Sequence, residues 1–322
     1  MKAKINILDI IPVITMLVLF AFFAIVSGGN TVSLFNLQNI VLQAVPVAIG
    51  ALGVIFVVSL GSTDISVGAN GALSATIAAL ISQSIGGWAM IPLTLIISTA
   101  IGFLLGMIIT RFKTESFMTT LASLIALRGL MNFILTRATI KAPRYLLKVS
   151  TFWISLIILI ILAVVVFFIF EKTKFGHYCK GMGENENTIK AIGVNTRRIR
   201  LICFCISGFM AGVFGFILLG KVSGASSTLC NMMEMKIQMA IFLGGILVSG
   251  GYSAKLFKAI IGSLTIVIIE NGLISCGVDT APSEAIEGIL LVAILCITIY
   301  SNKLSLKRND LELLKAKEAG KV

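Results

Sequence analysis

Long apolar segments, separated by short polar breaks, dominate this 322-residue chain and limit what it can fold into. Ten can be traced, roughly 10–28, 40–60, 66–84, 89–110, 117–136, 151–170, 199–220, 236–250, 255–275 and 283–301. A helix needs about 20 apolar residues to cross a 30 Å hydrocarbon core, and most of these segments are near that length. Charged residues make up only 12% of the chain, and hydrophobic residues 57%. A water-soluble domain carries roughly 25% charge. The expected fold is all-α: a polytopic membrane protein of about ten transmembrane helices with one membrane domain (1–302) and a basic cytoplasmic tail (303–322).

The net charge of +12 does not point to nucleic acid, because membrane proteins gather Lys and Arg in cytoplasmic loops. With the N-terminus inside, 19 basic residues fall on the inner side and six outside, while Arg128 lies within a segment. Both termini are therefore expected in the cytoplasm. The basic stretch from Arg137 to Lys148 disagrees, and either is a basic external loop or hides a miscounted span. Lys2 and Lys4 before an apolar run resemble a signal peptide, but the run is long and reads as an uncleaved first helix. The short eighth segment and the Gly-rich ends of segments two and eight suggest broken or re-entrant helices, which need protein or water over their backbone.

One polar island interrupts the pattern, EKTKFGHYCKGMGENENTIKAIGVNTRRIR, from Glu171 to Arg200. It holds seven of the 26 basic residues, the only His (His177), and the carboxylates Glu171, Glu184 and Glu186. Gly181 and Gly183 would permit a tight turn. Glu184 and Glu186 suit the first turn of a short helix, with Thr188, Ile189 and Ile192 as its apolar face. Gly193 and Asn195 would end it, and Arg197, Arg198 and Arg200 would mark the membrane surface. The island is expected to form a short amphipathic helix able to dock in a partner's groove.

Chemistry-bearing sets are few. Cys203 and Cys205 lie about 200° apart on a helix, so they do not share a metal, and no metal site is expected. Gly215 to Lys221 has the spacing of a phosphate-binding loop, but Val222 stands where Ser or Thr is needed. The same glycines, Gly208, Gly212 and Gly215, together with Gly102 and Gly106, read as close helix packing. Asp64 and Ser66 precede segment three as caps or as polar points on a translocation path. Arg128 and Asn132 are one turn apart. Glu270 and Asn271 are costly at membrane depth unless they face a cavity or a partner, and Glu270 is a candidate partner for Arg128.

These residues carry a resemblance to the permease subunit of ribose-type ABC sugar importers. Gly183-Glu184-Asn185-Glu186-Asn187-Thr188 with Gly193-Val194-Asn195 resembles the family's cytoplasmic coupling loop. Gly61-Ser62-Thr63-Asp64-Ile65-Ser66-Val67-Gly68 resembles its Gly-Asp-Leu-Ser-Val-Gly signature. Phe117 to Leu121 with Arg128-Gly129-Leu130, and Gly244-Gly245 with Ser249-Gly250-Gly251 and Glu270-Asn271-Gly272, resemble two further blocks. The likeness spans about residues 10–302. The sequence departs at Lys236, where the family commonly has Asp, after Gly251, and in a short loop near 137–150.

The resemblance implies a bacterial inner-membrane carbohydrate import subunit. Residues Gly183, Glu184, Asn185, Glu186, Gly193, Asn195 and Arg197 would couple it to a separate ATPase. Asp64, Ser66, Arg128, Asn132, Glu270 and Asn271 would be path candidates, and Gly61, Gly68, Gly244, Gly245, Gly250 and Gly251 structural glycines. No cofactor is expected on this chain, with ATP and Mg bound by the ATPase. An extracytoplasmic sugar-binding protein, a second permease copy or homologue, and membrane lipids would be partners. An ion-coupled secondary transporter is the alternative, with Asp64 and Glu270 as its only carboxylates.

Overall fold

A computed structural model describes residues 7–278 and scattered positions from 282 to 296. Eleven α-helices follow one another: α1 (Ile7–Val26), α2 (Leu34–Ser59), α3 (Val67–Ile85), α4 (Met90–Phe112), α5 (Ser116–Arg137), α6 (Arg144–Val149), α7 (Phe152–Phe167), α8 (Lys174–Ala191), α9 (Thr196–Val222), α10 (Met233–Leu243) and α11 (Leu256–Ser275). A π turn, Phe168–Lys172, prolongs α7. Among the described residues there is no strand, only an isolated bridge between Lys141 and Gly224.

Seven of the helices, α1, α2, α4, α5, α7, α9 and α11, are long and apolar enough to cross a membrane. The eighth predicted segment, 236–250, is corrected. Its helix begins earlier, at Met233, and stops at Leu243 after 11 residues. At 1.5 Å per residue it covers about half a bilayer. It ends where Gly245 turns the chain out with φ +76°, and the residue before it must be Gly244 because a side chain there would strike the Lys258 carbonyl. The tenth segment (283–301) and the tail (303–322) lie largely or wholly outside the described residues. The basic stretch 137–148 hides no extra span, because α6 is only six residues long.

The helices sort into an interior and a rim. Buried residues run along α2 from Ala44 to Ser59 without a break, the mark of a helix enclosed on all sides. Around it stand α9, α11, α10 and α7. By contrast α1, α5 and α7 expose Leu17, Val18, Ile125, Phe133, Ile160 and Ile161, which suits contact with hydrocarbon.

The predicted glycine stripes find each other. A Cβ on Gly102 would press on the backbone of Gly208, and one on Gly208 on that of Gly102. Gly212 meets Ser98 in the same seam, whereas Gly215 packs on Gly71 of α3. Dispersion across such short backbone separations holds apolar helices together where no water is excluded.

Ion pairs align the ends. Asp9 at the start of α1 pairs with Lys255 and with Lys258, at 3.3 Å in the latter case. Glu171 at the end of α7 accepts from the Leu256 amide at 3.2 Å. The start of α1, the end of α7 and the start of α11 therefore share one end of the bundle. At the other end Tyr145 donates to the Gly87 carbonyl at 2.9 Å, and Asn36 and Asn271 exchange hydrogen bonds of 2.7 and 2.9 Å.

Candidate functional site

The polar island forms α8 and the entry to α9, and differs from the single short helix expected. Its helix starts at Lys174 and is broken at Asn185, whose backbone (φ −160°, ψ 104°) is extended. The Asn185 carboxamide oxygen accepts from the amides of Asn187 and Thr188 at 3.0 and 3.3 Å. Asn185 is thus the N-cap of a second, shorter arm. Gly193 ends that arm with φ +81°, and the Asn195 side chain caps α9 by accepting from the Arg198 amide at 3.2 Å.

Two expectations for this stretch need correction. Gly181 and Gly183 make no turn: both are helical, and Gly183 is required by contact. A Cβ there would overlap the Ser59 carbonyl oxygen and the Gly251 amide. Glu184 does not open the short helix. It closes the first arm and accepts from the Tyr252 amide at 2.9 Å.

Its partner, the loop 244–255, is built for that contact. Gly250 and Gly251 both have positive φ, +73° and +69°, a region that costs an L side chain about 1 kcal/mol or more. Gly250 also lies against the carbonyls of Val58 and Ser59. Gly61 stands beside the Ser249 carbonyl, and Gly245 (φ +76°) beside Pro12. The first arm of α8, the end of α2 and the loop before α11 thus meet backbone to backbone.

The second arm is fixed by charge. Glu186 binds Lys190 at 2.9 Å and Arg200 at 2.8 Å. Burial alone would raise its pKa, but the hydrogen bonds from Lys190 and Arg200, the Arg200 charge and a bond from Thr196 together lower it to about 2. Glu186 is therefore ionised throughout the physiological range. Glu171 and Lys180, 2.5 Å apart, tie the first arm to the end of α7, and Lys180 also sits over the Phe170 ring. Beneath α8 the Cys179 and Cys203 sulfurs lie 3.5 Å apart, a proximity that spacing along the sequence could not suggest.

A second polar group lies inside the bundle. Between α2 and α3 the backbone is irregular yet buried, and Asp64 is only 3% exposed. One carboxylate oxygen of Asp64 accepts from the Ser66 amide and hydroxyl at 3.1 and 2.7 Å. The other accepts from Ser207 of α9 at 2.6 Å. Its carbonyl accepts from Gln238 of α10 at 3.1 Å. Asp64 therefore does not cap the first turn of α3. It bolts the α2–α3 junction to α9 and α10, with Ser66 at the N-cap making no side-chain cap bond. Gly68, one turn on, leaves room for Glu234.

Replacing Asp64 with Asn keeps one acceptor but either sets an amide donor against the Ser66 N–H or obliges the Ser207 hydroxyl to turn from donor to acceptor. The expected loss is about 1–2 kcal/mol, and roughly 3 kcal/mol for Asp64→Ala, which abandons both serines. Thermal melting of the detergent-purified variants and uptake by cells measure this. An Asn variant that melts and transports like the parent would show that the carboxylate is not needed.

The proposed partnership of Arg128 with Glu270 is replaced by two others. Arg128 donates to the carbonyls of Leu229 and Cys230, both at 2.6 Å, and faces Glu234 at 3.6 Å. Glu270 instead binds Lys236 at 2.5 Å. Lys236 and Glu270 are brought together by the approach of α10 and α11, so the Lys that departs from the resembling family has a counter-ion in this chain. Asn271 is buried and bonded to Asn36 across to α2. Asn132 is exposed and lines an open cleft with Thr136, Thr139 and Ser226; it joins none of these networks.

Glu234 and Gln238, four residues apart on α10, were not anticipated as site residues. One oxygen of each is buried without a hydrogen-bond partner. Their only sequence signal was polarity at the start of the short eighth segment, Gln238 within it and Glu234 just before it. Among the described residues no cluster of three or more His, Cys, Asp or Glu could hold a metal.

Broken helices, buried polar bolts and a charged arm on one end define a multi-pass helical membrane protein whose interior is organised around α2. The chain belongs to the family described as branched-chain amino acid transport system / permease component, which it matches over residues 36–295. As a member it is a membrane permease component, a transport subunit rather than an enzyme. It is 29% identical to the ribose import permease of Haemophilus influenzae over 256 residues, covering 75% of this chain and 78% of that one. It is 26% identical to the ribose import permease of Escherichia coli K12 over 302 residues, covering 90% and 92%. It is 28% identical to the autoinducer 2 import system permease of Photorhabdus luminescens, covering 85% and 87%. No solved structure matches the chain.

Proposed function

We propose that this chain is the membrane subunit of an ABC importer for a monosaccharide, ribose-like or a related sugar, and that α8 is where a separate ATPase drives it. Relatives named for ribose, galactofuranose and autoinducer 2 import support the substrate class. The observation that carries the coupling reading is the seating of Glu184 and Gly183 on Tyr252, Gly251 and Ser59. A push on α8 is delivered directly to the end of α2, and through the 244–255 loop to α10 and α11. Asp64 then relays it to α9 and α10. The path candidates are Asp64, Ser66, Arg128, Asn132, Glu270 and Asn271.

In this reading the chain crosses a bacterial inner membrane ten times, the eighth time as the half-helix α10 continued by the 244–255 loop, with both termini and α8 in the cytoplasm. Two permeases enclose the path, as a homodimer or with a homologue. A binding protein delivers sugar outside, and ATP with Mg acts on the ATPase rather than on this chain. The cycle is a population shift between outward and inward states, driven by the ATPases closing on the paired α8 arms.

The test is Gly193→Pro combined with Glu186→Lys. Proline cannot adopt the φ of +81°, and the lysine repels Lys190 and Arg200. Loss of both ATPase co-purification and ATP-dependent uptake is expected, with the protein still membrane-inserted. Survival of both would sink the coupling assignment.

A further inference from the structure

The outer flank of the second α8 arm holds a cavity that shares only Glu186 and Arg197 with the coupling residues. It measures about 370 Å³ and lies between the end of α4, the tail of α8 and the first turn of α9. Four cations line it, Lys113, Lys190, Arg197 and Arg200, against one carboxylate, Glu186. That carboxylate is already shared by Lys190 and Arg200, and it stays ionised because its pKa is held near 2. The lining therefore keeps a surplus of positive charge. Lys113 and Arg197 make no ion pair among the described residues. The Arg200 Nε is buried with no hydrogen-bond partner, although an N–H in that position normally finds one.

Backbone geometry adds to the field. The cavity stands at the N-terminus of α9, a 27-residue helix whose dipole favours an anion there. Lys113 is placed by its own backbone: it terminates α4 with φ +55°, which sets it back over the end of α4 on the cavity side. The neighbouring part of α4 is not polar. Phe103 and Met107, on the same side of α4 as the lining residue Thr110, are exposed, and Ile109 forms part of the cavity floor. A charged pocket that continues into an exposed apolar helix face has the two halves of an amphiphile's outline. A small soluble anion would need only the first half.

We infer that this cavity binds the phosphate headgroup of an anionic membrane lipid, with the acyl chains lying along the exposed face of α4. The phosphate takes the unpaired Lys113 and Arg197 side chains beside the Arg200 guanidinium, while Glu186 fixes Lys190 and Arg200 in the lining. Because the same Glu186 anchors the second α8 arm, an occupied pocket stiffens the arm that the proposed ATPase contact uses. The inference depends on the α8 side facing the anionic leaflet, as the function proposed above requires, but its readout does not depend on transport.

The experiment uses the full chain purified in mild detergent and titrated with phosphatidylglycerol, phosphatidylcholine or inorganic phosphate. Bound lipid is counted by native mass spectrometry and stability by melting. Phosphatidylglycerol should be retained and raise the melting temperature, and phosphatidylcholine should do neither. Each basic residue near an anionic surface contributes about five-fold in affinity. Lys113→Asn with Arg197→Gln should therefore weaken phosphatidylglycerol retention by roughly thirty-fold. Asn is chosen at 113 because it tolerates the left-handed backbone. Lys148→Glu, at the opposite end, is the control and should retain lipid as the parent does. Equal retention by parent and double variant, or equal retention of both lipids, overturns the site. Saturation by inorganic phosphate at an affinity matching the lipid's overturns the lipid as occupant. A double variant that loses ATPase co-purification while retaining lipid would assign the cavity to the ATPase and also overturn the inference.

Discussion

Gly183→Ala should detach the polar arm from the bundle. One added methyl would overlap two backbone atoms, the Ser59 carbonyl oxygen and the Gly251 amide. No rotamer change can relieve a clash with main chain, so either α8 lifts or the ends of α2 and the 244–255 loop shift. Overpacking a tight contact costs about 1–3 kcal/mol when side chains can yield, and the upper end applies where they cannot. The melting temperature should fall by several degrees (~3 kcal/mol of stability). Trypsin should cut faster at the island's lysines and arginines, and uptake should collapse. Gly129→Ala is the internal contrast, because a methyl there meets nothing within 4 Å. In a helix interior it should be neutral or stabilise by up to about 1 kcal/mol. If Gly183→Ala melts and transports like Gly129→Ala, the seating of α8 on α2 is not the route by which motion enters the bundle.

Arg128→Ala should be at least as damaging, for an electrostatic reason. The guanidinium satisfies two carbonyls at once, Leu229 and Cys230, and is the cation facing Glu234. Glu234 is 5% exposed and already has one unpartnered oxygen. Removing a buried charge's partner costs about 3–5 kcal/mol, more than the pair contributes when intact. Arg128→Lys should not rescue, since one ammonium on a flexible stem cannot grip two carbonyls and a carboxylate in fixed geometry. Adding Glu234→Gln to Arg128→Ala should recover part of the loss by removing the stranded charge, leaving the cost of the two carbonyls. Melting of the three variants and the parent completes the cycle. A lysine variant with parental stability would show that geometry at this position is immaterial.

These two positions differ in how far they could be read beforehand. Gly183 and Arg128 both stand out in the sequence, as a glycine in a charged island and a cation in an apolar segment. For neither does the sequence name the other side of the contact. Gly183 suggested a turn and proved to be a helix contact, because the reason for glycine was lack of space rather than φ. Arg128 suggested Glu270, yet Glu234 lies closer once the half-helix α10 packs beside α3. Lys236, read as a departure from the resembling family, has a counter-ion because α10 and α11 pack along each other. Asn185 reads as one more polar residue in a loop until its carboxamide is seen capping a helix that its own backbone has broken.

The sequence by itself determined the all-helical membrane class, most helix boundaries, the polar island and the small-residue stripes that let α4 and α9 touch. Each of these is local: hydropathy, length and 3.6-residue periodicity are properties of a few turns of chain. Tertiary structure alone decided where α10 stops, which carboxylate faces which cation, that Asp64 bolts four elements together, and that Cys179 lies against Cys203. Those outcomes depend on the approach of helices whose residues lie far apart in the chain, 235 positions at Asn36 and Asn271 and 246 at Asp9 and Lys255. Hydrogen bonds need close, aligned donors and acceptors, and the Coulomb energy of a pair grows as 1/r toward contact, so a partner is chosen by packing geometry and not by composition.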